Sequence, residues 1–516
     1  MAGQVHILDT AGRPIRSQQD TAHFGASRTA REIASWTPPL ASADADLLTE
    51  LPALVARSRD LARNNGIAAG CVQTIVDTVV GTGLRLAAKP DYVALGKDKA
   101  WADDWSKQVE AQWRTWAEST DCDAARQLTF DGLTTLAFRT GLVNGEALAL
   151  PLWLPNRGTR FATAIQVVDP DRLSNPAGKM DDARLRSGIQ FGRYGEPRAY
   201  WIRKSHPMDV PVGSFGANEW VKVPARMRFG RLRVIHVHDK ERTGQSRGKP
   251  LFASVMGQFK MLDHYQLAEL QASIVNAKIA AFMETGMGAE DIAEFFGGSL
   301  DDYVEKRNAW EVKLEGGSVM PLFPGDKITP FTPARPATAY AEFTMASMRQ
   351  IAAGMNIPYE LLAKDFSQTN YSSARAALLE AWRYFMGRRK WLSVHWASPV
   401  YALWLEEAIG QGLIEAPGFY DNPAAWCRAK WIGPGRGWVD PVKEAKAADM
   451  RIQSGISTYE QECAEQGLDW EEVFEQLAVE RQKAEALGLP LPDMTQVFTD
   501  ALNQSGNGNQ NGDQAV

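Results

Sequence analysis

The chain has 516 residues, 45% of them hydrophobic and 23% charged, which places it among folded globular proteins with room for about three to five domains. Its 56 basic and 62 acidic side chains give a net charge of −6, the wrong sign for a protein that holds nucleic acid tightly by neutralising phosphates. No apolar run approaches the ~18 residues of a membrane helix, and the start lacks the basic, apolar, small-residue order of a secretory signal. Four scattered cysteines, Cys71, Cys122, Cys427 and Cys463, form no C-x-x-C pair, which argues against a zinc module or a disulfide framework and points to synthesis in a reducing cytoplasm.

Residues 1–50 mix Ser, Thr, Ala, Gln and Pro without periodicity and read as a partly disordered arm. From Asp44 to Val80 apolar residues recur at three- and four-residue intervals, predicting helix, and Leu84-Arg85-Leu86 predicts a strand. In 99–118 Trp101, Trp105, Val109, Trp113 and Trp116 fall on one helical stripe, the pattern of core packing. A helix at 128–140 and strands at 145–155, 161–168, 186–192, 197–204 and 231–238 complete an α+β body. The pattern then predicts a helix from Pro250 to Glu284, a Gly- and Pro-rich small α/β lobe over 286–336, and a helix at 337–354. A polar loop around Lys364, Ser367, Gln368, Thr369 and Asn370 precedes a long helical pattern from Ser372 to Ile409, which Pro399 should kink. The helical region 440–487 lies in an acidic end, 440–516, holding 15 acidic and 5 basic residues; 503–516 reads as a disordered tail.

Three groups invite chemistry. His236 and His238 share one face of a strand, yet two ligands fall short of a metal set, and a polar strand edge is the competing reading. Asp169, Asp171, Asp181 and Asp182 suggest paired carboxylates, but Asp169-Pro170-Asp171 carries turn chemistry. Nine basic residues in 222–249 face only Asp239 and Glu241; for want of interleaved exposed aromatics they read as a solvated rim or subunit contact rather than a nucleic-acid site. The sequence signs of hydrolase, nucleotide and zinc chemistry are missing, so no catalytic, cofactor or metal residue is assigned and no cofactor is expected.

Four stretches resemble the lambda-type phage portal proteins: Arg57 to Asn65 with Val79 to Gly83; Ile235-His236 with Arg242, Gln245, Arg247, Gly248 and Pro250; Thr369-Asn370-Tyr371-Ser372-Ser373 with Arg375; and Trp438 to Glu444 with Gly455, Ile456 and Thr458. The resemblance implies a non-enzymatic ring, usually a dodecamer, made in the host cytoplasm and set at one vertex of the virion. Through it double-stranded DNA passes without specific contacts. It implies as partners the terminase large subunit, a major capsid or scaffold protein and a head-completion or tail connector protein, and no membrane. Its parts would map as arm 1–50, wing 51–249, stem 250–285 and 337–356, clip 286–336, tunnel loop 357–373, kinked helix and wing return 374–439, crown 440–490 and tail 491–516. Lys364, Ser367, Gln368, Thr369 and Asn370 would then face the DNA channel, against the plainer reading of a surface turn whose helix Ser372 caps. A phage-encoded maturation protease or nuclease is the rival class, and a sequence-specific DNA-binding protein a third.

Overall fold

The computed structural model describes residues 23–28, 30–209, 219–278, 281–285, 326–330, 340–367, 370–437 and 441–489. The helical pattern expected over 44–80 is three helices: α1 (Ala43–Leu47), α2 (Leu51–Asn64) and α3 (Gly66–Val79). Asn65 makes the second break. Its backbone is extended, its Oδ1 accepts the Ala68 N–H at 2.8 Å, and its Nδ2 donates to Asp263 at 2.7 Å. An N-cap of this kind satisfies one of the amide groups that a helix start leaves without a partner.

Strand β1 (Arg85–Ala88) leads to α4 (Lys99–Ala117) and α5 (Phe130–Asn144). Of the tryptophan stripe of α4, Trp105, Val109, Trp113 and Trp116 are each under 5% exposed, and Trp101 at its start is half-buried. Trp113 sits at the centre, its ring 5.0–5.8 Å from those of Trp116, Phe130, Tyr401, Trp404 and Trp431, four of the five edge-on. Edge-to-face rings satisfy the aromatic quadrupole while burying large areas.

Two antiparallel sheets follow. The first runs β3–β2–β8 and is built from β2 (Glu146–Trp153), β3 (Thr163–Val168) and β8 (Ile235–His238). The second is the meander β4 (Leu185–Arg186), β5 (Ile189–Phe191), β6 (Pro197–Arg203) and β7 (Trp220–Pro224). Leu148, Val168, Ile189, Tyr200, Ile202, Val223 and Val234 form a second core from residues of both sheets. Strand β7 has no counterpart among the elements that the sequence predicts, where its Lys222 counts toward a basic run. Its neighbour β6 supplies the pairing that makes it a strand.

Helix α6 runs Met256–Lys278 rather than from Pro250 to Glu284. Residues 250–255 form tight turns, Ala253 N–H donating to Pro250 and Val255 N–H to Phe252, while Leu251 N–H donates to Leu142 of α5. Residues 281–285 are strand β9 (Ala281–Thr285), paired antiparallel with β10 (Asp326–Pro330). This ladder draws together the two ends of the 286–336 lobe; the lobe outside β10 lies outside the described residues.

Helix α7 (Tyr340–Gly354), the short α8 (Tyr359–Ala363) and the long α9 (Tyr371–Leu392) return the chain to the main core. Where the sequence predicts a kink at Pro399, a single π-turn spans Ser393–Ala397 before α10 (Ser398–Gly410), with Pro399 in the first turn of α10. Proline has no amide N–H, and the wider π-turn absorbs the interruption of the hydrogen-bond ladder. The short helix α11 (Pro423–Trp426) precedes β11 (Ala429–Ile432), which pairs with β1 across more than 300 residues of chain. Among its described residues the acidic end has three helices, α12 (Pro441–Gln453), α13 (Tyr459–Glu465) and α14 (Trp470–Leu487). Among the described residues no helix is long and apolar enough to cross a membrane.

Candidate functional site

The polar loop hangs between two anchored helices. On its entry side Ile351, Met355, Ile357 and Leu362 are buried, and Ile357 N–H donates to Ala352 to close the end of α7. On its exit side Ala381 and Phe385 of α9 are buried. Lys364 ends α8 in the left-handed region, φ 53°, which turns the chain outward. Asp365 Oδ1 then accepts the Ser367 N–H at 3.0 Å, and Tyr359 Oη donates to its other oxygen at 3.3 Å. These bonds, Ser367 first, hold the Asp365 carboxyl below its ordinary range. Phe366 is 45% exposed. Gln368 and Thr369 lie outside the described residues.

Asn370 caps α9, its Oδ1 accepting the Ser373 N–H at 2.8 Å. The cap expected from Ser372 is therefore made two residues earlier, because an Asn at the extended N-cap position reaches the third amide of the helix. Of the five candidate channel residues the structure brings Lys364, Ser367 and Asn370 onto one short connection.

A second polar group lies deep in the body. Glu146, at the start of β2, is fully buried, with Arg247 on it through Nε (2.7 and 2.9 Å) and Nη2, and His236 Nε2 2.9 Å from Oε2. Burial pushes the Glu146 carboxyl up; the Arg247 guanidinium and then His236 overcome it and hold it below the usual carboxylate range. Arg247 also donates to the carbonyls of Leu173, Ser187 and Pro170. His238 stacks on His236 at 4.3 Å, and burial, reinforced by His236, lowers its pKa to about 3. The two histidines thus lie on the edge strand β8 but face a salt-bridged interior rather than solvent.

The residues before and after Arg247 continue this role. Gln245 accepts from the amides of Glu241 and Arg242, and Ser246 donates through N–H (2.7 Å) and Oγ (2.5 Å) to the buried Asp44 of α1. Residues 43–50 of the expected arm are thereby docked. Gly145, at φ 90°, lies against Gly248: a Cβ on Gly145 would sit 2.5 Å from the Lys249 carbonyl carbon, and one on Gly248 would overlap the Gly145 carbonyl.

The aspartates divide as turn chemistry predicts. Asp169 Oδ1 accepts the Asp171 N–H at 3.0 Å, and Asp182 and Asp181 accept backbone amides of 184–187. Asp169, Asp171 and His206 are the single group among the described residues whose ligand atoms lie close enough for a metal, but Arg59 already bridges it, at 2.6 Å to Asp171 and 3.2 Å to Asp169. Arg59 belongs to the first of the four stretches, so that stretch also carries a structural ion pair. Arg389, which no sequence motif marks, donates to the carbonyls of Val79, Thr78 and Pro434; burial brings its pKa down to about 10. One arginine within the basic run Arg388-Arg389-Lys390 gives no sequence sign of such a role.

The family described as "Phage portal protein, lambda family" matches residues 29–389. The chain is 35% identical to "Portal protein B" of Escherichia phage lambda over 94% of its own length and 93% of that protein's. It is also 35% identical to the "Portal protein" of Escherichia phage N15, with 91% of each chain covered. The "Probable portal protein" of Halomonas phage phiHAP-1 is 26% identical over 95% of this chain and 92% of that one. Among solved structures, a chain from the neck of an empty GTA particle aligns with a TM-score of 0.46 at 13% identity, covering 90% of this chain and 100% of that chain. The chain is an α+β protein that belongs to the lambda family of phage portal proteins.

Proposed function

We propose that copies of this chain, twelve in the closed form, make the ring at one vertex of the virion through which DNA is packaged and ejected. In this reading 51–249 is the wing, 250–285 and 337–356 the stem, 286–336 the clip, 374–439 the long helix and wing return, and 440–490 the crown. The arm 1–50 and tail 491–516 flank them. The clip takes the terminase large subunit, and other faces take the capsid or scaffold protein and the head-completion protein. The ring is made in the host cytoplasm and does no catalysis itself; Arg59's occupation of the Asp169–Asp171 pair supports that view.

The observation that carries the channel assignment is the short, polar connection 364–370 between α8 and α9, helices that bury Leu362, Ala381 and Phe385 in the core. Weak, interchangeable contacts from such a loop let a duplex slide, whereas a strongly basic wall would grip it through counterion release. Ring closure is supported by α6, where Leu267, Leu270 and Ile274 share one face and are 47–58% exposed in the single subunit. A helix stripe of that kind needs a neighbour. Particle size and negative-stain images of the purified chain test the reading: rings with a central hole are expected, and a monomer at all concentrations contradicts it.

A further inference from the structure

The end of the four-stranded sheet opposite the 204–219 connection carries two turns of the same make-up. In one, Gly195 N–H donates to Gly192 at 3.3 Å and Arg193-Tyr194-Gly195 form the tip. In the other, Gly230 N–H donates to Met227 at 3.0 Å and Arg228-Phe229-Gly230 form the tip. Both glycines have positive φ, 79° and 98°, so each tip ends where an L side chain is strained. Sheet register puts the two tips at one end, since Phe191 pairs with Pro197, Ala199 with Pro224, and Ala225 N–H donates to Arg198.

Each tip presents an arginine and a large ring to solvent: Tyr194 is 87% and Phe229 69% exposed. Arg184, Arg198 and Arg226 are exposed at the same end, and of the five guanidinium groups only that of Arg198 has an ion-pair partner among the described residues, Glu196. Phe229 lies between the arginines of the basic run 222–249, where the sequence alone does not show it exposed; the fold exposes it and sets Tyr194 at the same end. The acidic end of the chain lowers the net charge, but charges farther than a Debye length of about 8 Å are screened at physiological salt.

We propose that this paired Arg–aromatic sheet end is a contact site for duplex DNA outside the channel. Arginines bind phosphates and enter grooves, and a thin turn with an exposed ring fits a groove as a blunt wedge. A duplex offers phosphates at fixed spacing to two tips set at one end of one sheet. A flexible single strand is better held in a continuous groove, and these convex turns do not form one. The site stands on other elements than the channel loop, so it survives or fails independently of that assignment.

The test measures binding of the full chain to a short blunt duplex across a salt series. In Arg193→Ala/Arg228→Ala the slope of log affinity against log salt should fall by about 1.8, roughly 0.9 for each phosphate no longer neutralised. Arg193→Lys/Arg228→Lys should keep the slope, and Tyr194→Ala/Phe229→Ala should weaken binding with the slope unchanged. A single strand and an oligo-glutamate of matched charge complete the comparison. An unchanged slope in the alanine pair overturns the site, and tighter binding of either competitor than of the duplex overturns the ligand.

Discussion

Around Glu146 the chain places charges where they have one fixed set of partners, whereas in the 364–370 loop it places groups that many partners could satisfy. Arg247 distributes its guanidinium over Glu146 and three backbone carbonyls, all in the interior. The described ends of the loop make one Asx turn and one helix cap at the surface, with Tyr359 donating to Asp365 beside the turn. On the proposed channel role of the loop, the contrast separates what a portal subunit must keep to fold from what it would need to let a polymer pass. Interior charges tolerate no substitution that leaves a partner alone, while a sliding contact is better the less it distinguishes.

The sharpest way to break the comparison is at its buried pole. Arg247→Met leaves Glu146 buried without its guanidinium, and removal of one partner from a buried pair costs about 3–5 kcal/mol. Urea unfolding of this variant should show a loss in that range, or no soluble protein at all; a loss under about 1 kcal/mol would falsify the hub. Trp113→Ala should lose about 3–5 kcal/mol through the cavity it opens among the tryptophans, and the two losses should add to within about 0.5 kcal/mol if the regions are independent.

Acid stability probes the same pole more finely. The His238 pKa falls from 6.5 to about 3 on folding, so the unfolded chain binds the extra proton between those values. Stability is therefore complete above about pH 6.5 and declines as pH falls toward 3, by up to about 1.4 kcal/mol per unit. Glu146 acts in the same direction but only below its ordinary value of 4.5, since its folded pKa is depressed. His238→Phe removes the titrating ring and should flatten the curve between pH 6.5 and 4.5; the ring nitrogens of His238 have no hydrogen-bond partner among the described residues, so their removal orphans nothing there. An unchanged slope there would mean another group titrates.

These two poles differ in how far the sequence discloses them. The α4 stripe, the α+β body and the turn chemistry of Asp169-Pro170-Asp171 are local patterns with a period or a short motif, and each is readable from its own residues. Glu146, β7 and β11 are not: Glu146 is a lone acid opening an apolar strand, β7 is recognisable only beside β6, and β11 pairs with β1 through a contact that closes most of the chain. Three of the four stretches that mark the family contain Arg59, Asn65, Arg247 and Asn370, which secure an ion pair, a helix corner, the buried hub and a helix start. Family motifs here report folding constraints. The 364–370 loop carries only the faint sign of being polar between two helices.

The mildest perturbation decides whether Asn370 is more than a helix start. Asparagine and aspartate cap helices about equally well, and aspartate adds favourable charge at the N-terminus, so Asn370→Asp should leave thermal stability within about 0.5 kcal/mol. Asn370→Ala loses the bond to Ser373 and should cost about 1 kcal/mol while adding no charge. In a channel lined by a copy from every subunit, the aspartate repels passing phosphates and the alanine does not. Packaging yield and genome retention should then fall in the more stable variant and stay near normal in the less stable one. The opposite order, with the alanine variant defective and the aspartate variant normal, would leave Asn370 a cap and move the channel contact elsewhere.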